Sequence, residues 1–280
     1  MLKLSGKEVA AFYRERVERR LDDLKERQIM PELAILCIGD DKPSAMYAKS
    51  MQRVALEVGI DSKIYSRSSD VAESEVLELI QQFNRSETVF GILLMMPLPD
   101  HIDTQRIISS IDPAKDIDGL TDTSVANLFN GRPGFVPCTP RAVIAMLDYY
   151  HISLSGKNVV IVGRSNVVGK PLAQLCLNRN ATVTHCHTKT RDLCEMTLQA
   201  DILISAAGRA KLIKRSMVKP GAVVIDVGIN RVDGKTVGDV DFDDVATIAR
   251  AITPVPGGIG AVTTMMVLES VVCGVVQADL

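Results

Sequence analysis

Two stretches of this 280-residue chain gather residues whose types and spacing can do chemistry. Gly163-Arg164-Ser165-Asn166-Val167-Val168-Gly169-Lys170-Pro171 follows the apolar run V-V-I-V and opens a helical pattern, so its N–H groups and the helix start can approach a pyrophosphate. It departs from G-x-G-x-x-G, because Ser165 stands where the second glycine would be, and a plain strand-to-helix turn is the competing reading. NAD-selective sites carry a carboxylate about 20 residues on, at the end of the second strand. The corresponding stretch here, H-C-H-T-K-T (185–190), has none, and Thr188 and Lys189 with Arg164 suit a 2′-phosphate; NADP is expected over NAD. The second stretch, K-D-I-D-G (115–119), offers Asp116 and Asp118, either as ligand-binding carboxylates or as solvated loop charges.

Such turns need strands and helices to hold them. From about 6 to 27, Val9, Phe12, Val17, Leu21 and Leu24 recur among charges at the spacing of an amphipathic helix. A buried strand E-L-A-I-L-C-I-G (32–39), a helix at about 43–58, a strand S-K-I-Y-S (62–66) and a helix at about 72–84 follow. The buried strand V-F-G-I-L-L-M (89–95) is closed by Pro97 and Pro99, which cannot continue a central ladder. A second series runs K-N-V-V-I-V-G (157–163), A-T-V-T-H (181–185), D-I-L-I-S (201–205) and A-V-V-I-D-V (222–227), ending in an apolar helix at about 261–277. Short apolar strands alternating with helices imply parallel sheets covered on both faces. The expected fold class is therefore α/β in two lobes, the first ending near Pro137 or Pro140 and the second Rossmann-like.

Composition bounds the function. A chain of 280 residues suits two domains of roughly 100 to 150 each, and 46% hydrophobic with 24% charged residues is a globular profile. With a net charge of -2 and scattered lysines and arginines, no nucleic-acid footprint exists. No apolar run reaches about 18 residues, and M-L-K-L-S-G-K-E leads straight into a charged helix, so neither a membrane span nor a signal peptide is expected and the cytoplasm is the expected compartment. The six cysteines form no C-x-x-C pair and read as reduced thiols. His185-Cys186-His187 suggests a metal, but a strand sends alternate side chains to opposite faces and no second ligand pair stands at a usual spacing, so no metal is expected.

Taken together, G-R-S-N-V-V-G-K-P, P-C-T-P (137–140), K-D-I-D-G, V-K-P-G-A-V-V-I-D-V-G-I-N-R-V (218–232), V-G-D-V-D-F (237–242) and T-P-V-P-G-G-I-G (253–260) resemble the bifunctional methylenetetrahydrofolate dehydrogenase/cyclohydrolase family. The likeness runs in order along nearly the whole chain. It implies a three-layer α/β folate-binding catalytic domain at 1–138, completed by the last helix at about 262–280, and a Rossmann-like NADP-binding domain at 139–261. It also implies a homodimer formed through the nucleotide domains and a tetrahydrofolate derivative, polyglutamylated or not, as substrate. By the same likeness Gly163, Arg164, Ser165, Val168, Gly169, Thr188 and Ile229 line the NADP site. Pro256, Gly257, Gly258, Ile259 and Gly260 would close over the folate, Tyr47 would stack on its ring, and Asp116 or Asp118 would bind the pterin and offset a cationic product.

The chain departs from that family in its folate pocket. The family pattern places tyrosine and lysine four apart on one helix face; here Tyr47 is kept and Met51 holds the lysine position. Lys49 is no replacement, since two residues along a helix is about 200 degrees around the axis. The glutamine that contacts the lysine in a G-I-L-V-Q-L-P-L-P string is Met95 in Gly91-Ile92-Leu93-Leu94-Met95-Met96-Pro97-Leu98-Pro99. Read without the resemblance, Tyr47, Met51, Val54 and Val58 are a helical core stripe. Hydride transfer needs alignment, whereas hydrolysis of a methenyl cation needs a group that moves protons, worth about 100-fold to 10,000-fold. Methionine exchanges no proton, so the expectation is a dehydrogenase with an absent or severely weakened cyclohydrolase, in a host that carries a separate cyclohydrolase. The alternatives are a fully bifunctional enzyme, a non-catalytic NADP- or folate-binding paralogue, and an amino-acid dehydrogenase, for which no lysine pair near the cleft is found. Ala261, where the family carries proline, is expected to loosen the folate-closing loop.

Overall fold

The structure is a computed structural model that describes residues 1–277, with side chains up to Gly274 in the last helix. The chain forms two units, one of Met1–Ala11 with Pro137–Thr263 and one of Phe12–Val136 with the residues from Thr264 on. Each has a parallel sheet of its own.

In order, the chain runs through β1 (Leu2–Lys3), α1 (Gly6–Glu26), β2 (Glu32–Ile38), α2 (Lys42–Val58), β3 (Asp61–Arg67), α3 (Glu73–Arg85), β4 (Val89–Leu94), α4 (Thr104–Ser109) and α5 (Asp122–Phe129). The three-stranded sheet has the order β3-β2-β4, every pair parallel. All seven residues of β2 are buried, which is why that run reads as unbroken hydrophobics rather than as an alternation. Leu36, Ile38, Val76, Ile80, Phe83 and Ile92 form the core beneath it. α2 starts where Asp41 accepts from the Ser44 N–H at 2.8 Å, with proline in its first turn.

The six-stranded unit continues with α6 (Cys138–Tyr149), β5 (Asn158–Val162), α7 (Gly169–Asn178), β6 (Thr182–Cys186), α8 (Leu193–Leu198), β7 (Ile202–Ser205), β8 (Val223–Asp226), the hairpin β9 (Asn230–Val232) and β10 (Lys235–Val237), α9 (Phe242–Val245) and β11 (Ala251–Ile252). Its sheet has the order β1-β11-β8-β7-β5-β6, all parallel, over a core that includes Val160, Leu203, Val224 and Ile252. The strands that the sequence shows as V-V-I-V, D-I-L-I-S and A-V-V-I-D-V are its centre.

The grouping differs from the sequence reading at the amino terminus, which the likeness puts wholly in the first domain. Leu2–Lys3 pairs with Ala251–Ile252 and the Ser5 N–H donates to the Tyr150 hydroxyl at 2.8 Å, so the first eleven residues join the six-stranded unit. The other crossings fall at 136/137 and 263/264, against the expected 138/139 and 261/262. The last helix, α10 (Ile259–Gln277), carries Val271 and Gly274 against Gly91 and Phe135 of the three-stranded unit. Its expected extension to residue 280 lies outside the described residues. No helix among the described residues is long and apolar enough to cross a membrane.

Candidate active site

In the three-stranded unit, one bond joins α2 to the segment after β4 and another joins that segment to β2. The Ser44 hydroxyl donates to the Met96 carbonyl at 2.8 Å, and the Met95 N–H donates to the Leu36 carbonyl at 2.9 Å. On these elements Met51 is 1% exposed and Met95 6% exposed. The buried stripe of α2 is Ala48, Met51, Ala55 and Val58, which corrects the expected stripe: Tyr47 is 38% exposed and Val54 only half-buried. The reason is geometric, since four residues overshoot one full turn by about 40 degrees and leave Tyr47 at the stripe's edge. Lys49 is exposed. The arrangement offers an accessible aromatic ring, and at positions 51 and 95 two buried thioethers that neither give nor take a proton.

The K-D-I-D-G turn divides its charges. Asp116 is 2% exposed; one of its oxygens accepts from the Leu120 N–H at 2.9 Å. The other accepts from the Thr121 N–H at 2.8 Å, the Thr121 hydroxyl at 2.7 Å and the Ser124 hydroxyl at 2.6 Å. That carboxylate is bonded within the turn that starts α5, whose cap is Thr121. Lys115 is committed as well: its ammonium donates to the Phe83 and Ser86 carbonyls at the end of α3 at 2.7 and 2.6 Å, and burial pulls its pKa down. Asp118 is half-buried in the same turn.

In the six-stranded unit, Gly163 follows β5 with a φ of +124°, and a Cβ there would overlap the Ala206 carbonyl. Its N–H donates to the Cys186 carbonyl at 2.9 Å, and its own carbonyl takes a bond from His185 Nε2 at 2.6 Å, which fixes the protonated nitrogen of that ring. The Ser165 hydroxyl accepts from the Val168 and Gly169 N–H groups at 3.1 and 3.4 Å, doing for the start of α7 what a second glycine's bare backbone would not. Arg164, Ser165, Thr188 and Lys189 are exposed at the carboxyl ends of β5 and β6, the edge where ligands bind in open parallel sheets. A cavity of about 200 Å³ brings Ile229 together with Pro256, Gly258, Ile259, Gly260 and Ala261, and Asp226 lines it too. Gly257 is half-buried on that loop. His187 Nδ1 accepts from the Lys189 N–H at 3.1 Å, so both histidines of the H-C-H run serve backbone. The sequence reading gave no role to Asp226 or Asp239, buried carboxylates whose signal is an aspartate within two residues of a glycine in an apolar run.

Comparison with known proteins adds the following. Residues 4–118 match the model of the tetrahydrofolate dehydrogenase/cyclohydrolase catalytic domain, and residues 137–278 that of the NAD(P)-binding domain of the same family. The bifunctional protein FolD of Exiguobacterium sibiricum is 47% identical over 269 residues, covering 96% of this chain and 97% of that one. The crystal structure of the bifunctional enzyme FolD, methylenetetrahydrofolate dehydrogenase/cyclohydrolase, from Campylobacter jejuni has a TM-score of 0.97 at 44% identity over 100% of both chains. The Trypanosoma brucei dehydrogenase-cyclohydrolase, solved with NADP cofactor and inhibitor, has a TM-score of 0.95 at 32% identity, covering 100% of this chain and 98% of that one.

Proposed function

We propose, because this chain belongs to the tetrahydrofolate dehydrogenase/cyclohydrolase family, that it oxidises 5,10-methylenetetrahydrofolate to the 5,10-methenyl form with NADP, and that its hydrolytic step is absent or severely weakened. The observation that carries the second half is the burial of Met51 and Met95 where the family's pattern has lysine and glutamine.

The residues at the carboxyl edge of the six-stranded sheet fit the cofactor. Gly163 and the Ser165-bound start of α7 give a pyrophosphate close backbone approach, and Arg164, Thr188 and Lys189 meet a 2′-phosphate with no carboxylate at the end of β6. When bound, NADP supplies the hydride acceptor. On the folate side, the exposed Tyr47 ring aligns the substrate's aromatic group, and Asp118 offsets the positive charge that develops as the methylene carbon loses hydride and the adjacent nitrogen's lone pair is drawn in. Asp116 and Lys115 act at one remove, by holding the turn that carries Asp118.

Hydrolysis asks for more. Water must lose a proton as it adds to carbon, and a nitrogen must gain one as the ring opens; neither thioether does either. The host is then expected to carry a separate cyclohydrolase, and the protein to work in the cytoplasm as a homodimer formed through its nucleotide domains. Paired assays on the purified protein test the reading: NADPH formation from methylenetetrahydrofolate, and methenyltetrahydrofolate loss above the spontaneous rate. Brisk hydrolysis at a pace matching hydride transfer would sink it in favour of the bifunctional activity by which its relatives are named.

A further inference from the structure

The mechanism above leaves two buried carboxylates of the six-stranded unit unused. Asp239 is fully buried. One of its oxygens accepts from the Ser205 hydroxyl at 3.2 Å and from the Ala207 and Gly208 N–H groups at 2.6 and 3.1 Å. The other accepts from the Arg209 N–H and the Asn230 amide, both at 2.9 Å. Asp226, the last residue of β8, stands behind it. Its oxygens accept from the Gly228, Asp239 and Val240 N–H groups at 2.9, 3.0 and 2.8 Å, and its own N–H donates to the Thr253 hydroxyl at 2.7 Å.

Buried carboxylates ordinarily take a cation or a metal. Here three successive N–H groups, those of residues 207 to 209, turn toward one carboxylate. Such a concavity is of the kind that captures anions, and the chain's own side chain fills it. A Cβ at Gly228 would overlap the Asp239 carboxylate, so the backbone is bare where the carboxylate passes.

What the carboxylate holds is next to the glycine turn. The segment after β7 begins with Ala206, whose carbonyl is the group a Cβ on Gly163 would strike. On the far side, Asn230 follows Ile229, and Thr253 precedes the Pro254–Gly260 loop. Ala206, Ala207 and Gly208 have no large side chain to anchor their path, so hydrogen bonds must set it. We infer that Asp239, backed by Asp226, is a positioning residue for the nucleotide site: it fixes the Ala206–Arg209 backbone as the wall against which the Gly163 turn is set. The inference rests on the nucleotide reading above.

The test measures NADPH affinity of the full chain by equilibrium binding, together with KM and kcat for NADP and the melting midpoint. Asp239→Asn is expected to weaken NADPH binding and raise the KM for NADP at least about tenfold, with kcat at saturating NADP within about twofold of the parent, because the wall shapes binding and touches no reacting atom. Asn230→Ala and Ser205→Ala each delete one bond to Asp239 and are expected to weaken binding about two- to fivefold at unchanged kcat. Should Asp239→Asn not fold, these two variants decide the matter. Melting points that fall while NADPH affinity stays at the parent's value would overturn the inference and leave Asp239 a structural residue only. If the parent itself binds no NADPH, the nucleotide reading fails instead; a parent that binds, with variants that bind equally, removes only the positioning role.

Discussion

On α2 and at the end of β4, two buried positions hold thioethers where the family's pattern has an amine and an amide. Around the ends of β7 and β8, two equally buried positions hold carboxylates that neutral donors surround. On the proposed reading, the first region keeps its packing without proton-moving groups, and the second holds charges to which that reading gives no chemistry. Burying a polar group is costly in either place, and the difference lies in who satisfies it. A lysine and glutamine that serve substrate must satisfy each other inside the protein, so losing one strands the other, and replacing both with apolar side chains of similar length is the change the core tolerates. Carboxylates held mainly by backbone N–H groups depend less on any one other side chain, Ser205 and Asn230 being the side-chain donors to Asp239.

The strongest challenge to that contrast is to restore the lost pair. Met51→Lys with Met95→Gln is expected to raise methenyltetrahydrofolate hydrolysis by about 100-fold or more, up to about 10,000-fold, with the dehydrogenase largely retained. Met51→Lys alone buries an ammonium without its amide partner and should destabilise the chain without a matching gain in hydrolysis. Hydrolysis that does not rise in a folded double variant would mean that the missing groups were not what limited the step.

A second challenge separates scaffold from ligand within one turn. Asp116→Ala leaves the donors of Leu120, Thr121 and Ser124 without their acceptor and is expected to cost at least ~3 kcal/mol of stability in urea unfolding. Asp118→Asn, two residues on, should raise the KM for the folate several-fold and cost less stability than Asp116→Ala. Reversed outcomes would exchange the two roles.

The internal bonds of Asp116 were not legible in the sequence, and the reasons are physical. K-D-I-D-G shows two carboxylates with equal claims; which one is consumed internally depends on where the chain turns over the next eight residues, and spacing does not fix that turn. The buried strands were legible, because runs such as E-L-A-I-L-C-I and V-V-I-V leave little choice of environment. The two-residue strands β1 and β11 were not, since they exist only through each other and through β8, and two residues have no periodicity. The glycine turn at Gly163 is readable from its place after a strand, whereas Asp226 and Asp239 stand in apolar strings with nothing to mark them, most of their partners being backbone atoms that carry no letter.

Asp226 gives a third and smaller effect, with an unusual sign. Burial, with the charge of Asp239 adding to it, pushes its pKa from 3.8 up to about 6 against the pull of three N–H donors. A folded-state value above the unfolded one means the folded chain takes the proton first as pH falls, so the ionised form is the one folding penalises. The contribution of this group to stability therefore rises as pH drops from about 6 toward 3.8, opposite to a salt-bridged aspartate. Two pKa units set a ceiling of about 3 kcal/mol. The stability of the parent minus that of Asp226→Asn, followed between about pH 6.5 and 4, should climb toward that ceiling. A flat difference would show that the carboxylate sits there without penalty.

The smallest effect tests where ligand-facing charge should be. Lys189 is exposed at the end of β6, opposite in every respect to the carboxylates behind the sheet's edge. An exposed cation in water acts through a high dielectric and is screened over about 10 Å at 0.1 M salt. Lys189→Ala is therefore expected to raise the KM for NADP only about five- to tenfold, to leave the KM for NAD and the melting midpoint unchanged, and to flatten the salt dependence of NADP binding. A loss that persists undiminished at high salt would point to a buried, hydrogen-bonded role and would place Lys189 with the scaffold charges instead of the ligand-facing ones.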